Sequence, residues 1–364
     1  MVGWCESVRM TGLKVTITRS TLALSLLLLQ PVTVLGADCP ETTSQPVKRG
    51  TFSILFENDL FANTDQDYTN GIQLGWVSPD LSDYRDDPRL PDWSRWFIER
   101  LPFIHECSLQ RNVGLELGQK IFTPKDISRS DLIRDDRPYG GWLYGGIAFH
   151  NKNIDRLDTL AIQLGMVGPA SLAEQAQNFV HETRGLATAK GWDHQLNNEP
   201  GLLLIYSHKN RYFHTLSSRL GMDIITQYGA TLGNIFTYVD SGAELRIGWN
   251  IPADFGTALI RPGGQDNAPV DSNDRRPGGT GGFGIHVFAA ANGRGTLRDI
   301  FLDGNSFSDS HAVDRNVWVA DLAVGLGLTW QGVKLTYTQV FRTREFHGQD
   351  AWHKFGSLGL SYSF

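Results

Sequence analysis

Cysteine is nearly absent, with three residues in 364, and methionine supplies only four. So few thiols leave no disulfide framework and no C-x-x-C metal or redox motif. Past the first forty residues there is no apolar run near the ~18–20 residues that a membrane helix needs. Basic charge is not in excess either: 33 Lys and Arg face 39 Asp and Glu, a formal net charge of −6. That balance, without any basic stripe, argues against nucleic acid as the main partner. Zinc-type ligand pairs, a Gly-rich phosphate cradle and a G-x-S-x-G elbow are all missing. Glycine and aromatics are abundant instead, with 39 Gly, 10 Trp and 10 Tyr.

The N-terminus reads as an address. Arg9, Lys14 and Arg19 precede the apolar run Leu22 to Leu29, and Val34-Leu35-Gly36-Ala37 follows it. A positive flank, a short apolar core and small residues describe a secretory signal peptide over 1–36, cut after Gly36 or Ala37. The run is too short for a membrane anchor, and Asp38 before Cys39 does not suit a lipoprotein. Cleavage leaves a short periplasmic segment, 37–49, and two cysteines, Cys39 and Cys107, which could pair in an oxidising compartment.

From residue 50 onward one theme repeats: about ten residues of alternating apolar and polar or small side chains, then a turn. Val113, Leu115 and Leu117 alternate with Gly114, Glu116 and Gly118; Ala243, Leu245, Ile247 and Trp249 alternate with Gly242, Glu244, Arg246 and Gly248. About twelve such segments are countable, including one near Leu202–His208 and a last one carrying Leu358, Leu360, Tyr362 and Phe364. An even number of antiparallel strands with short and long connections in turn predicts an all-β transmembrane barrel over 50–364. Glu116, Arg219, Asp223, Glu244 and Arg246 fall on the phase opposite the apolar stripe, as an interior requires. Trp76, Trp249, Trp330 and Tyr362 sit near strand ends, where membrane-interface girdles form. Phe364 with an aromatic two residues before it resembles the signal read by the outer-membrane assembly machinery. A soluble β-sandwich also alternates, but it explains neither the signal peptide nor the terminal phenylalanine. With periplasmic termini, the stretches 61–68, 122–139, 169–200, 230–236, 299–315 and 344–352 become extracellular. The 80–109 insertion and the Pro/Gly/Asp-rich stretch 251–281 become periplasmic, the latter a flexible loop.

Chemistry concentrates at one edge. In FSILFENDLFANTDQDYTNGIQLGW, Phe52, Ile54, Phe56 and Leu60 share the apolar phase, and so does Asn58. A carboxamide on an apolar face costs free energy unless something pairs with it. Asp59 follows directly. On the return strand Ile72, Leu74 and Trp76 face one way, while Thr69, Gly71, Gln73 and Gly75 face the other. The loop after the fifth strand holds a helix-compatible stretch, Ala170 to Glu182, in which Gln177 and His181 lie four apart on one face. Histidine is the usual proton acceptor near neutral pH, and a carboxylate is a ligand for a hard cation. Each feature has a plainer reading: loop histidines are mostly surface residues, and Asn-Asp before a loop is usually turn chemistry.

Taken together, NDLFANTDQDYTNGIQLGW, DDRPYGGWLYGG, VGPASLAEQAQNFVH, GWDHQLNNEPG, the stretch Arg298 to His311, FRTREFHGQD and FGSLGLSYSF resemble the lipid A 3′-O-deacylase family, LpxR, across residues 50–364. The resemblance implies a twelve-stranded outer-membrane barrel, a monomer, that removes the 3′-linked acyloxyacyl chain of lipid A in lipopolysaccharide with calcium. It assigns Asn58, Asp59 and Thr69 to the family's Asn-Asp and Asp-Tyr-Thr motifs and His181 to the general base, with the calcium ion near Asp59. The family's phosphate-binding basic pair has no adjacent counterpart; in TPKDISRSDLIRDDRP the candidates are Lys125, Arg129 and Arg134. Glu174 or Glu182 stands in for an acidic residue that some relatives carry after the histidine. Two other readings compete: a catalytically silent barrel of the same family, and a small channel, which an interior filled by charges of both signs disfavours.

Overall fold

Alternation of period two puts every second side chain on the same face of a strand, so a closed sheet sorts them into a lipid-facing band and a lumen. A computed structural model of the chain realises this, describing residues 50–59, 67–81, 109–257, 259–261, 268–270 and 282–364. The signal peptide, the 37–49 segment, Cys39, Cys107, Leu60 and most of the 80–109 insertion lie outside these residues. Among the described residues twelve strands run in chain order: β1 (Thr51–Asn58), β2 (Asp67–Val77), β3 (Gln110–Thr123), β4 (Gly140–Lys152), β5 (Arg156–Val167) and β6 (Glu199–Thr215). The second half is β7 (Leu220–Gly233), β8 (Phe236–Trp249), β9 (Gly284–Asp299), β10 (Trp318–Trp330), β11 (Val333–Arg342) and β12 (His353–Ser363). Each pairs antiparallel with its sequence neighbours, and β1 pairs with β12 to close the barrel. Two helices follow strands: α1 (Ala173–Arg184) after β5 and α2 (Ile300–Asp303) after β9.

The outward phase is apolar and exposed, as in Phe52, Ile54, Leu115, Leu117, Leu245 and Ile247. The inward phase carries Glu57, Gln73, Glu116, Lys120, Asp223 and Arg246, all buried. Their charges are matched: Arg246 makes two hydrogen bonds to the Asp223 carboxylate, at 2.8 and 2.7 Å, and Arg211 adds a third at 2.7 Å. Arg219 departs from the expected interior position. Strand β7 starts at Leu220, so Arg219 falls in the turn before it and lies over the Trp249 ring, 5.7 Å from its centroid.

The described parts of the β8–β9 connection, 251–257, 259–261 and 268–270, also differ from the expected flexible loop. They fold back into the lumen from the end of the barrel that holds the termini. Asp254 binds Arg246 at 2.5 Å and Lys334 at 2.7 Å; Lys209 reaches the Phe255 carbonyl; Thr257 N donates to Glu244. Phe255 and Ile260 are buried, and Arg261 pairs with Asp321 near the opposite rim at 3.2 Å. A Pro/Gly/Asp-rich composition permits such a path because it imposes no regular structure, while the lumen charges supply the partners that a free loop would find in water.

At that opposite rim the loops interlock. Arg137 and Arg294 both bind the buried Glu345 carboxylate, at 2.8 and 2.7 Å, and Arg137 also stacks over Phe122 and Phe346. Burial alone would raise the Glu345 carboxyl, but Arg342, Arg137 and Arg294 hold it down at about 2, against 4.5 for an ordinary glutamate. A carboxylate pKa lowered by folding stabilises the folded state above the unfolded value, and that contribution is lost as pH falls through the folded one. Thermal unfolding of the detergent-solubilised barrel is therefore expected to lose stability between pH 4.5 and about 2. In Glu345→Gln that part of the slope is expected to flatten; an unchanged slope removes Glu345 from the acid response.

Candidate active site

The outward phase is exposed along most of each strand and then abruptly covered at the rim opposite the termini. Ile54 is 36% exposed, yet Asn58, on the same phase of β1, is 4% exposed. Leu117 is 55% exposed, yet Ile121, on the same phase of β3, is 2% exposed. Register ties these positions into one row across the wall, Asn58 to Asn70 to Ile121 to Gly141. At ~4.8 Å per strand the row is about 14 Å wide.

A β-bulge brings Thr69 into this row. The β2–β3 register slips between Tyr68 and Asn70, so Thr69 is an extra residue on β2. Tyr68 stays inward against Phe122 and Phe355. Thr69 turns to the other side, and its hydroxyl bonds that of Thr123 at 2.6 Å. Simple alternation had put Thr69 on the inward phase with Gly71 and Gln73; one inserted residue reverses the side. Asp59, just beyond Asn58, is fully buried.

Part of the cover is α1. The chain reaches it through a single helical turn, Pro169–Ser171, and through Leu172, which adopts a left-handed conformation at φ 58°. That conformation is strained for a branched residue and tends to occur where a site needs it. The helix ends at Gly185, also left-handed, whose N–H caps the Glu182 carbonyl while Leu186 N caps that of His181. It starts three residues later than the predicted Ala170–Glu182, because Pro169 begins a tighter turn, and it stops two residues later. Its buried face is Ala173, Gln177 and His181, one residue per turn. It docks on β3 and β4. Gly141 makes this seat possible: a Cβ there would overlap Ala173 Cβ and Ser171 Oγ. Gln119 Nε2, from the outward phase of β3, donates to the Ser171 carbonyl at 2.6 Å.

Gln177 and His181 are held differently. Trp192 Nε1 donates to Gln177 Oε1 at 3.0 Å, and the Trp192 ring packs against Tyr139 with 4.9 Å between centroids. His181 Nδ1 lies 2.6 Å from the Ala187 carbonyl oxygen. A carbonyl can only accept, so Nδ1 carries the hydrogen and the neutral ring keeps its lone pair on Nε2. That is the tautomer of a base. On the flank of α1, Leu172, Phe179 and Leu186 recur every seven residues and are exposed.

The three basic candidates lie in the rim loop between β3 and β4. Lys125 pairs with Asp350 at 2.6 Å, Arg129 pairs with Asp131, and Arg134 is exposed. The loop adjoins α1's exit, since Lys190 N donates to the Ile127 carbonyl. Glu182 is exposed and Glu174 half-buried, and neither shares the buried face with His181. The oxygen donors at the rim are the Asp59 carboxylate, the Asn58 carboxamide and the Thr69 and Thr123 hydroxyls, a set suited to a hard divalent cation and not to zinc. Among the described residues no group of three or more His, Cys, Asp or Glu side chains could hold a metal. Such a cation would draw most of its ligands from neutral oxygens.

Reasoning from sequence missed Trp192, Thr123, Gly141 and Arg137. The pair Gly140-Gly141 was the available signal, because glycines inside a strand often mark close approach. Gly140 faces inward against Phe301, where a Cβ would stand 2.9 Å from its ring, while Gly141 admits the helix outside.

A model of the family described as outer membrane protein LpxR matches residues 22–364. The chain belongs to the LpxR family. The structure is similar to LpxR from Salmonella typhimurium, with a TM-score of 0.67 at 18% identity over 86% of this chain and all of that one. The β domain of the Bordetella autotransporter BrkA covers 87% of this chain and 100% of its own, at 10% identity and a TM-score of 0.43. No curated protein matches. As an LpxR-family barrel the protein belongs to the outer membrane.

Proposed function

We propose that this LpxR-family barrel is a lipid A deacylase that hydrolyses the 3′-linked acyloxyacyl ester in the outer leaflet. The observation that carries the reading is His181: its Nδ1 is committed to the Ala187 carbonyl, and it lies on the helix face packed against the lipid-facing side of the wall. A soluble hydrolase would open its site to water. Here polar Asn58 and Thr69 are buried on the phase that faces lipid, where a membrane-bound ester can arrive sideways.

His181 Nε2 takes a proton from water as the water oxygen attacks the ester carbon. When the carbon–oxygen bond breaks, the same nitrogen returns the proton to the departing sugar oxygen. Asn58 offers carboxamide N–H groups to the carbonyl oxygen as negative charge develops there. Thr69, fixed by Thr123, keeps the adjoining stretch of wall polar and rigid. Calcium held by Asp59 with neighbouring neutral oxygens would supply positive charge near that carbonyl oxygen. Lys125, Arg129 and Arg134 are the cations of the rim loop for lipid A phosphate, and the first two must exchange Asp350 and Asp131 for it.

The test is mass spectrometry of lipid A incubated with detergent-purified protein, with calcium and with chelator. Loss of one acyloxyacyl unit in calcium alone is the expected result. Unchanged lipid A with verified folded protein would move the assignment to a catalytically silent barrel of the family.

A further inference from the structure

We propose that the described stretch 251–257 and 259–261 of the β8–β9 connection is an internal strut, and that Glu57 is a positioning residue through which it fixes the site on the opposite side of the wall. The inference rests on the placement of Asn58 and Thr69 in the deacylase site. Alternation makes Glu57 and Asn58 face opposite sides although their Cα atoms are ~3.8 Å apart. Inside, Ile260 N donates to Glu57 Oε1 at 2.8 Å, and the Ile260 carbonyl accepts from Lys120 Nζ at 3.0 Å. Both polar groups of that peptide unit's residue are therefore clamped, one to β1 and one to β3.

The side chain is seated as well. Ile260 packs on Leu55, and its Cδ1 stands 3.0 Å from where a Cβ on Gly71 would be. Gly71 is the register partner of Glu57, and Asn70, next to it, is the partner of Asn58. A loop that merely plugged the lumen could end anywhere along its height. This one reaches the last inward position of β1, directly behind the bulged hairpin that carries Asn58 and Thr69. Asp254 ties its start to Arg246 and Lys334, and Arg261, next to Ile260, pairs with Asp321. The ladders to β12 and β3 hold Asn58 and Asn70 sideways, but the β2–β3 register slips at Thr69, so the contact from inside steadies the wall at the bulge. A displacement near 1 Å at a reacting group costs about 10²-fold in rate.

Full-length Glu57→Ala, Glu57→Gln and wild type in detergent would be compared in lipid A deacylation, in heat-modifiable mobility and in amide exchange at 56–58 and 70–72. Gln keeps the acceptor oxygen for Ile260 N. Expected for Glu57→Ala is a kcat about 10–100-fold lower with KM within about 3-fold, folded mobility retained, and faster exchange confined to those amides; Glu57→Gln restores all three. An unchanged kcat in Glu57→Ala, or a loss that Gln does not rescue, overturns the strut. If wild type itself leaves lipid A intact, the deacylase reading fails by that result, and the strut is judged on exchange alone. Unchanged exchange at 56–58 and 70–72 in Glu57→Ala then sinks it.

Discussion

His181→Ala is expected to lower kcat for lipid A deacylation by about 10²–10⁴-fold, the range that a lost general base produces. The barrel should persist, because His181 sits on a helix outside the wall and contributes nothing to the strand ladder. His181→Asn sharpens the result. Its amide nitrogen approximates the position of Nδ1 and can still donate to the Ala187 carbonyl, but it offers no base where Nε2 was. Both variants should be inactive, and the asparagine should leave α1 docked. Full activity in either folded variant, read by mass spectrometry of lipid A, would remove His181 from the reaction.

Gly141→Val is the second change with a large expected effect, although it removes no polar group. A Cβ at this position overlaps Ala173 and Ser171, so the helix must lift from β3 and β4 or shift along them. Overpacking of this kind costs about 1–3 kcal/mol, and a site assembled between helix and wall tolerates little of it. Activity should fall about 10²-fold or more, with heat-modifiable mobility unchanged because Gly141 faces away from the lumen. Gly145→Val is the control: it lies on the same strand and the same outward phase, and its nearest neighbour would be the Glu116 carbonyl oxygen at 3.7 Å. Equal losses in both variants would show that the strand, not the helix seat, is what valine disturbs.

Much of the barrel was legible because period two is a local property. Ile54, Leu117, Leu245 and their phase-mates had only one face to go to, and charges such as Asp223 and Arg246 had only the other. The Gln177–His181 face was equally legible, since i and i+4 meet on any helix. What failed did so where local pattern stops governing. Thr69 was placed on the wrong side because a single bulge resets the alternation, and nothing in DYTNG announces it. Arg219 was counted as interior because alternation was extended back into the turn before β7.

By itself, then, the sequence determined the closed antiparallel sheet, its lipid-facing band and the residue types available at the rim. Backbone geometry and hydrophobic alternation leave such a chain few other arrangements. Only the tertiary structure decided which residues work together. It seated α1 against Gly141, tied Trp192 to Gln177, and fixed the tautomer of His181 through a carbonyl six residues on. It also drew a Pro/Gly/Asp-rich loop through the lumen to Glu57. Those contacts join residues far apart in the chain or on different elements, and their energies depend on burial and partner geometry. No periodicity along the chain encodes them.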